Sequence, residues 1–129
     1  MEKLYTAEVT SIGGRSGNVK SSDGVINMEV RPPKEMGGPD KGNYTNPEEL
    51  FAAGYSACFG GAFAHIALEQ KIRVKPIITA KVSIYKAGEG FQIGVEMDIR
   101  VPGVDQKKAE ELAEAAHKFC PYSKAIHNN

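Results

Sequence analysis

Tryptophan is absent from the sequence, and its 16 basic residues are cancelled by 16 acidic ones. A chain with no net charge presents no field that would draw it to a polyanion or a bilayer. Neither nucleic acid nor membrane is therefore an expected partner. Cysteine is scarce, limited to Cys58 and Cys120. Two are too few for the disulfide framework of a small secreted protein. They also lack the CxxC or Cys/His spacing that holds zinc. His65, His117 and His127 show no metal-ligand spacing either and are expected to be structural, so neither a metal nor a bound cofactor is implied. The opening residues, MEKLYTAEV, lack the basic start and apolar run of a secretory signal. The expected location is the cytoplasm, where a disulfide is more often transient than structural. No low-complexity tract, repeat or linker divides the 129 residues, which suffice for one domain, residues 1–129, with its own core.

The sequence does contain one long stretch without a formal charge, LFAAGYSACFGGAFAHIAL at residues 50–68. Asn46-Pro47-Glu48-Glu49 stands before it: an N-cap, a proline suited to the first helical position, and a glutamate three residues after the cap. A helix from here to about Lys71 would be roughly 37 Å long. It is apolar almost all round, so it is expected to be buried. Its length approaches that of a membrane span. However, its Ala and Gly content, its Tyr55, Ser56 and His65, and the lack of flanking basic clusters favour a central helix covered by sheets or a partner subunit.

Around this helix the periodicity changes to two. Residues 3–12 alternate as a strand, Gly13-Gly14-Arg15-Ser16-Gly17 and Ser22-Asp23-Gly24 are turns, and residues 25–30 read as the partner strand with Ile26, Met28 and Val30 inward. The glycine pattern is no phosphate loop, because no helix pattern follows it. A turn-rich connection, residues 32–45, leads to the helix. Beyond it, residues 77–85 alternate with Ile78, Ala80, Val82 and Ile84 on one face. A glycine-flanked loop at residues 86–90 then suits a hairpin. Its second arm places Phe91, Ile93, Val95, Met97, Ile99 and Val101 inside. Asp105 caps an amphipathic helix with Ala109, Leu112, Ala113, Ala116 and Phe119 on its apolar side, ended by Pro121 directly after Cys120. This order predicts an α+β protein with segregated antiparallel strands.

Cys58 is the residue on which chemistry would turn. Free cysteine is commonly just a small hydrophobe, and periodicity puts Phe51, Tyr55, Cys58, Ala62 and His65 near one face. An apolar neighbourhood raises a thiol pKa. The helix dipole does not offset this, because its effect fades beyond the first turn. A reactive Cys58 therefore needs a cation from elsewhere, and Arg15, in its glycine-flanked turn, is the candidate. Cys120 reads equally as the last apolar residue of its helix or as a mobile thiol at a helix end. Glu48 reads as a favourable charge at a helix N-terminus. Phe51, Tyr55, Phe59 and Phe63 would form an apolar substrate pocket beside Cys58. From the residues alone, a redox thiol pair stands beside two rivals, a general thiol–disulfide oxidoreductase and a non-catalytic binder of apolar ligands.

The segments NPEELFAAGYSACF at residues 46–59 and CPYS at residues 120–123, with the GGRSG and SSDG turns, resemble the organic hydroperoxide resistance proteins of the OsmC-like family over essentially the whole chain. That resemblance implies antiparallel sheets wrapped around long central helices in an intertwined homodimer. It implies a thiol-dependent peroxidase in which Cys58 attacks an organic hydroperoxide and Cys120 resolves the sulfenic acid as a disulfide. Arg15 would hold the Cys58 thiolate and Glu48 would orient Arg15. An external dithiol, typically a dihydrolipoyl group, would act as reductant. The family's chains continue into a short final strand where this one ends at Ile126-His127-Asn128-Asn129, so a truncated sheet edge or a missing tail is expected.

Overall fold

A computed structural model describes residues 1–127; the chain end at Asn128 and Asn129 lies outside the described residues. Its contacts group the chain into two compact units, Met1–Leu50 and the remainder from Phe51. The strands are antiparallel and segregated from the helices, as an α+β chain requires.

The first unit holds a three-stranded sheet of β1 (Val9–Ile12), β2 (Gly17–Ser21) and β3 (Asn27–Val30), in that order. Three expectations fail here. The first strand covers only the last part of residues 3–12, because β2 ends opposite Val9 and earlier residues have no strand to pair with. The partner of β3 is β2, a strand hidden from periodicity by its opening Gly17-Asn18. Val30 is buried, but Ile26 and Met28 are exposed. The expected turns form. Gly13 and Gly14 take positive φ values of 84° and 59° beside a short 3-10 turn, Gly14–Ser16. Thr45, also buried, forms a parallel bridge to Val30, donating its N–H to Glu29 and accepting from Arg31 N–H. That bridge fixes the chain immediately before the long helix.

Helix α1 runs Pro47–Glu69. Asn46 caps it, its Oδ1 accepting from the Glu49 N–H at 2.8 Å, while Glu49 accepts from the Thr45 hydroxyl at 2.6 Å. The helix stops in a Schellman motif. Ile72 N–H donates to the Ala67 carbonyl and Lys71 N–H to that of Leu68, with Lys71 in the left-handed region at φ 62°.

The second unit packs one stripe of α1 (Tyr55, Phe59, Ala62, Phe63 and Ala67) against Leu112, Ala116 and Cys120. The hairpin β4 (Ile77–Ala87) and β5 (Gly90–Arg100) supplies Ile78, Val95, Met97 and Ile99 to the same core. Gly88, at φ 58°, opens its two-residue turn. Phe91 and Ile93 lie near the hairpin tip and are exposed rather than inward. Helix α2 (Gln106–Phe119) begins on Asp105, whose carboxylate accepts from the Lys108 N–H at 2.8 Å. Phe119 leaves the core and stacks on His65 at 4.6 Å between ring centroids. After Cys120 the chain does not stop but turns into a short helix, α3 (Pro121–Ala125), with Pro121 at its first position.

The expectation that α1 is buried all round holds only on one side. Helices α2 and α3 and a two-stranded hairpin do not enclose a cylinder ~10–12 Å wide. Ala53, Ala57, Gly61 and Leu68 are left exposed, and so is His65. Length and composition alone would let α1 cross a bilayer; its aromatic stripe packed on α2 and the hairpin is what a core helix has.

Candidate functional site

The predicted site residues fall into two groups. In the first unit, Arg15 projects from the 3-10 turn between β1 and β2. The turn needs its glycines: a Cβ on Gly17 would lie 1.8 Å from the Ile12 carbonyl oxygen. Arg31 braces the same turn, its guanidinium donating to the Gly17 carbonyl at 3.0 Å and to that of Val30 at 2.6 Å. Glu48 sits in the first turn of α1, placed there by the Thr45 bridge and the Asn46 cap. The two side chains meet in a bidentate pair, Nη1 to Oε1 at 2.9 Å and Nη2 to Oε2 at 3.0 Å. Glu48 is largely covered while Arg15 keeps 40% of its side chain exposed. Hydrogen bonding to Glu48 raises the guanidinium pKa further, against a smaller opposing effect of burial. The fork fixes the orientation of the cation and leaves part of it open to a third group.

In the second unit, Cys58 and Cys120 come together as free thiols, their sulfurs 3.6 Å apart. Cys120 is fully buried and Cys58 half-buried. Burial pushes the Cys58 thiol up; the Tyr122 backbone N–H, facing the sulfur, favours the thiolate, and the neighbouring Cys120 pushes the other way. This matches the direction expected for an apolar setting. Within its own unit, then, burial favours the protonated form of Cys58.

Phe51, Tyr55 and Phe59 line a cavity of about 790 Å³ walled by Val95, Met97 and Ile99 of β5. Phe63, the fourth aromatic expected there, is sealed in the core and does not line it. His117 and Ser123 stand at the same cavity. Among the described residues no group of three metal-ligating side chains occurs.

Two further participants, Tyr122 and Ser123, carry no periodicity that marks them in the sequence. The Tyr122 ring stacks on Tyr55 at 5.9 Å and approaches Phe51 edge-on at 6.4 Å. Ser123, fully buried, lies 2.7 Å from the Tyr55 hydroxyl and 3.0 Å from His117 Nδ1. The sign available in the sequence was a polar pair, Tyr-Ser, directly after Cys120-Pro121.

Comparison with known proteins closes the identification. The family model described as OsmC-like protein matches residues 38–129. The organic hydroperoxide resistance protein OhrB of Bacillus subtilis (strain 168) is 48% identical over 128 residues, covering 98% of this chain and 93% of that relative. The organic hydroperoxide resistance protein of Xanthomonas axonopodis pv. citri is 44% identical, over 98% of this chain and 89% of its own. Among solved structures, Bacillus subtilis OhrB superposes with a TM-score of 0.90 at 46% identity, covering 98% of this chain and 94% of that one. An organic hydroperoxide resistance protein from Legionella pneumophila gives 0.92 at 44%, covering 99% and 93%. The chain belongs to the OsmC-like family, among its organic hydroperoxide resistance proteins.

Proposed function

We propose that the protein is a cytoplasmic, thiol-dependent peroxidase that reduces organic hydroperoxides to alcohols. The observation that carries this reading is the pair of free thiols 3.6 Å apart, one of them fully buried. Two cysteines so placed can take up and pass on one oxidising equivalent without a metal or bound cofactor.

In this reading the Cys58 thiolate attacks the outer peroxide oxygen. An S–O bond forms as the O–O bond breaks, and the leaving alkoxide takes a proton to depart as the alcohol. Arg15 stabilises both the thiolate and the charge growing on the leaving oxygen, and Glu48 holds the guanidinium in orientation for both tasks. Cys120 displaces water from the Cys58 sulfenic acid, giving a disulfide. An external dithiol, of the dihydrolipoyl kind, restores both thiols by exchange.

We assign the working form to a homodimer. The motive is apolar surface left open in one chain: the small-residue side of α1 at Ala53, Ala57 and Gly61, and Leu4, Tyr5, Ile12 and Val25 in the first unit. Sedimentation velocity at micromolar concentration should return a dimer; a stable folded monomer would contradict the assignment.

The 790 Å³ cavity has Phe51, Tyr55, Phe59, Val95, Met97 and Ile99 in its wall, beside polar groups such as Gln92 and Glu114. Neither thiol lines it, but its aromatic side belongs to the helix that carries Cys58, which supports the choice of organic over inorganic peroxide. An alkyl or aryl group burying ~100 Å² contributes on the order of 2.5 kcal/mol at about 25 cal/mol per Å². That is nearly two decades in kcat/KM if fully expressed in the transition state. With one dithiol reductant throughout, kcat/KM for cumene or a fatty-acid hydroperoxide should exceed that for hydrogen peroxide by ~10–100-fold. Equal values would remove the cavity from the mechanism. The cavity would also suit a non-catalytic binder of apolar molecules; thiols inert to every hydroperoxide would favour that reading.

The Cys58 pKa gives a second test. Burial favours the protonated thiol, so the reactive fraction at neutral pH falls once the compensating cation is lost. In Arg15→Ala the pH midpoint of Cys58 alkylation should move to the alkaline side and peroxide consumption at neutral pH should drop at least tenfold. Arg15→Lys should rescue only in part, because an ammonium lacks the planar fork that engages Glu48 and a third group together. An unchanged pH profile in Arg15→Ala would contradict the role given to Arg15.

A further inference from the structure

Cys120 is pinned by its backbone on both sides. Its N–H donates to the Ala116 carbonyl at 2.8 Å, and its carbonyl accepts from the Lys124 N–H at 3.0 Å, so it joins the end of α2 to the start of α3. Three residues on, Ser123 ties this junction to the rest of the unit. Its buried hydroxyl is the middle of a three-group chain, between Tyr55 on α1 and His117 on α2. A buried hydroxyl with partners on two other helices is satisfied only in this mutual placement of α1, α2 and α3. The Tyr122 ring adds a steric constraint: it lies over Gly54, where an added Cβ would come within 2.6 Å of its hydroxyl oxygen.

The sulfur separation shows what such placement serves. A disulfide needs about 2.05 Å between sulfurs, and here they stand 3.6 Å apart, in contact but unbonded. We propose that Ser123, through its bonds with Tyr55 and His117, is a positioning residue for the resolving thiol. It holds Cys120 where the Cys58 sulfenic acid is captured before a second peroxide arrives. The inference rests on the peroxidase reading above.

In the step it serves, the Cys120 sulfur attacks the Cys58 sulfenic sulfur. The S–S bond forms as the S–O bond breaks, and hydroxide leaves with the proton from Cys120 as water. The oxidising equivalent is the one the first hydroperoxide delivered. The competing step adds a second oxygen to Cys58 and yields a sulfinic acid that thiols do not reduce. Position decides this competition because capture is intramolecular, and a misplacement of about 1 Å can cost on the order of 100-fold. Attack by a second peroxide does not depend on Cys120.

Rapid mixing of reduced protein with cumene hydroperoxide, acid quench and mass analysis separate the two phases. Oxidation of Cys58 scales with peroxide concentration; disulfide closure does not. In Ser123→Ala and in Tyr55→Phe, closure should slow about tenfold relative to the oxidation phase of the same variant. The two-oxygen adduct on Cys58 should then grow at peroxide concentrations where the parent protein gives only disulfide. Ser123→Thr, which keeps the hydroxyl, should recover most of the closure rate. Closure unchanged in both hydroxyl-deleted variants would overturn the proposal and leave the peroxidase reading standing, as would equal slowing of both phases. A parent protein with no disulfide phase would overturn both.

Discussion

A thiol set in an apolar core resists ionisation, and the chemistry proposed here depends on how that resistance is overcome. Burial pushes Cys58 toward its protonated form, and the neighbouring Cys120 adds to the effect. The Tyr122 N–H alone favours the thiolate from within the second unit, and it does not reverse the balance. Position near the middle of α1 supplies little, because a helix dipole acts over its first turn. In the proposed mechanism the thiolate requires a cation, the role proposed for Arg15. Glycines permit the turn that carries Arg15, and Glu48 locks its guanidinium by two hydrogen bonds while leaving it partly open.

Helix α1 links the two groups of residues. Its first turn holds Glu48, its middle holds Cys58 and Tyr55, and its aromatic stripe forms the core of the second unit. The cap on Asn46 and the Thr45 bridge fix where it begins; the Schellman turn at Lys71 fixes where it ends. The side chains around the thiols are tied to neighbours as well: Tyr55 to Ser123, Ser123 to His117, and Tyr122 to the Gly54 notch. The proposed reaction between the two thiols needs this rigidity, since helices free to slide would not keep two sulfurs 3.6 Å apart.

Much of this follows from local features of the residues. Caps at Asn46 and Asp105 are local chemistry and formed as expected. The alternation of β4 and β5 follows from one covered face, and held except near the tip, where Phe91 and Ile93 are exposed. Strand β2 escaped notice because Gly-Asn-Val-Lys-Ser carries no two-residue alternation of apolar side chains; its place is set by pairing on both edges. Helix α3 escaped because Pro121 reads as a stop, although proline is equally a start. Arg15 with Glu48 and Cys58 with Cys120 were assigned by resemblance, since spacing alone contains no rule that brings distant residues together. The Ser123 hydroxyl and the separation of Phe63 from the cavity depend on three-dimensional packing, which no periodicity encodes.

In the proposed cycle Cys58 receives oxygen from the peroxide and Cys120 resolves it. One equivalent of an organic hydroperoxide added to the reduced protein, followed by rapid alkylation and peptide mapping, tests it directly. The expected result is a single linked peptide pair joining Cys58 to Cys120 within one chain, with one equivalent of alcohol released. Both cysteines recovered free and alkylated, with the peroxide intact, would contradict it.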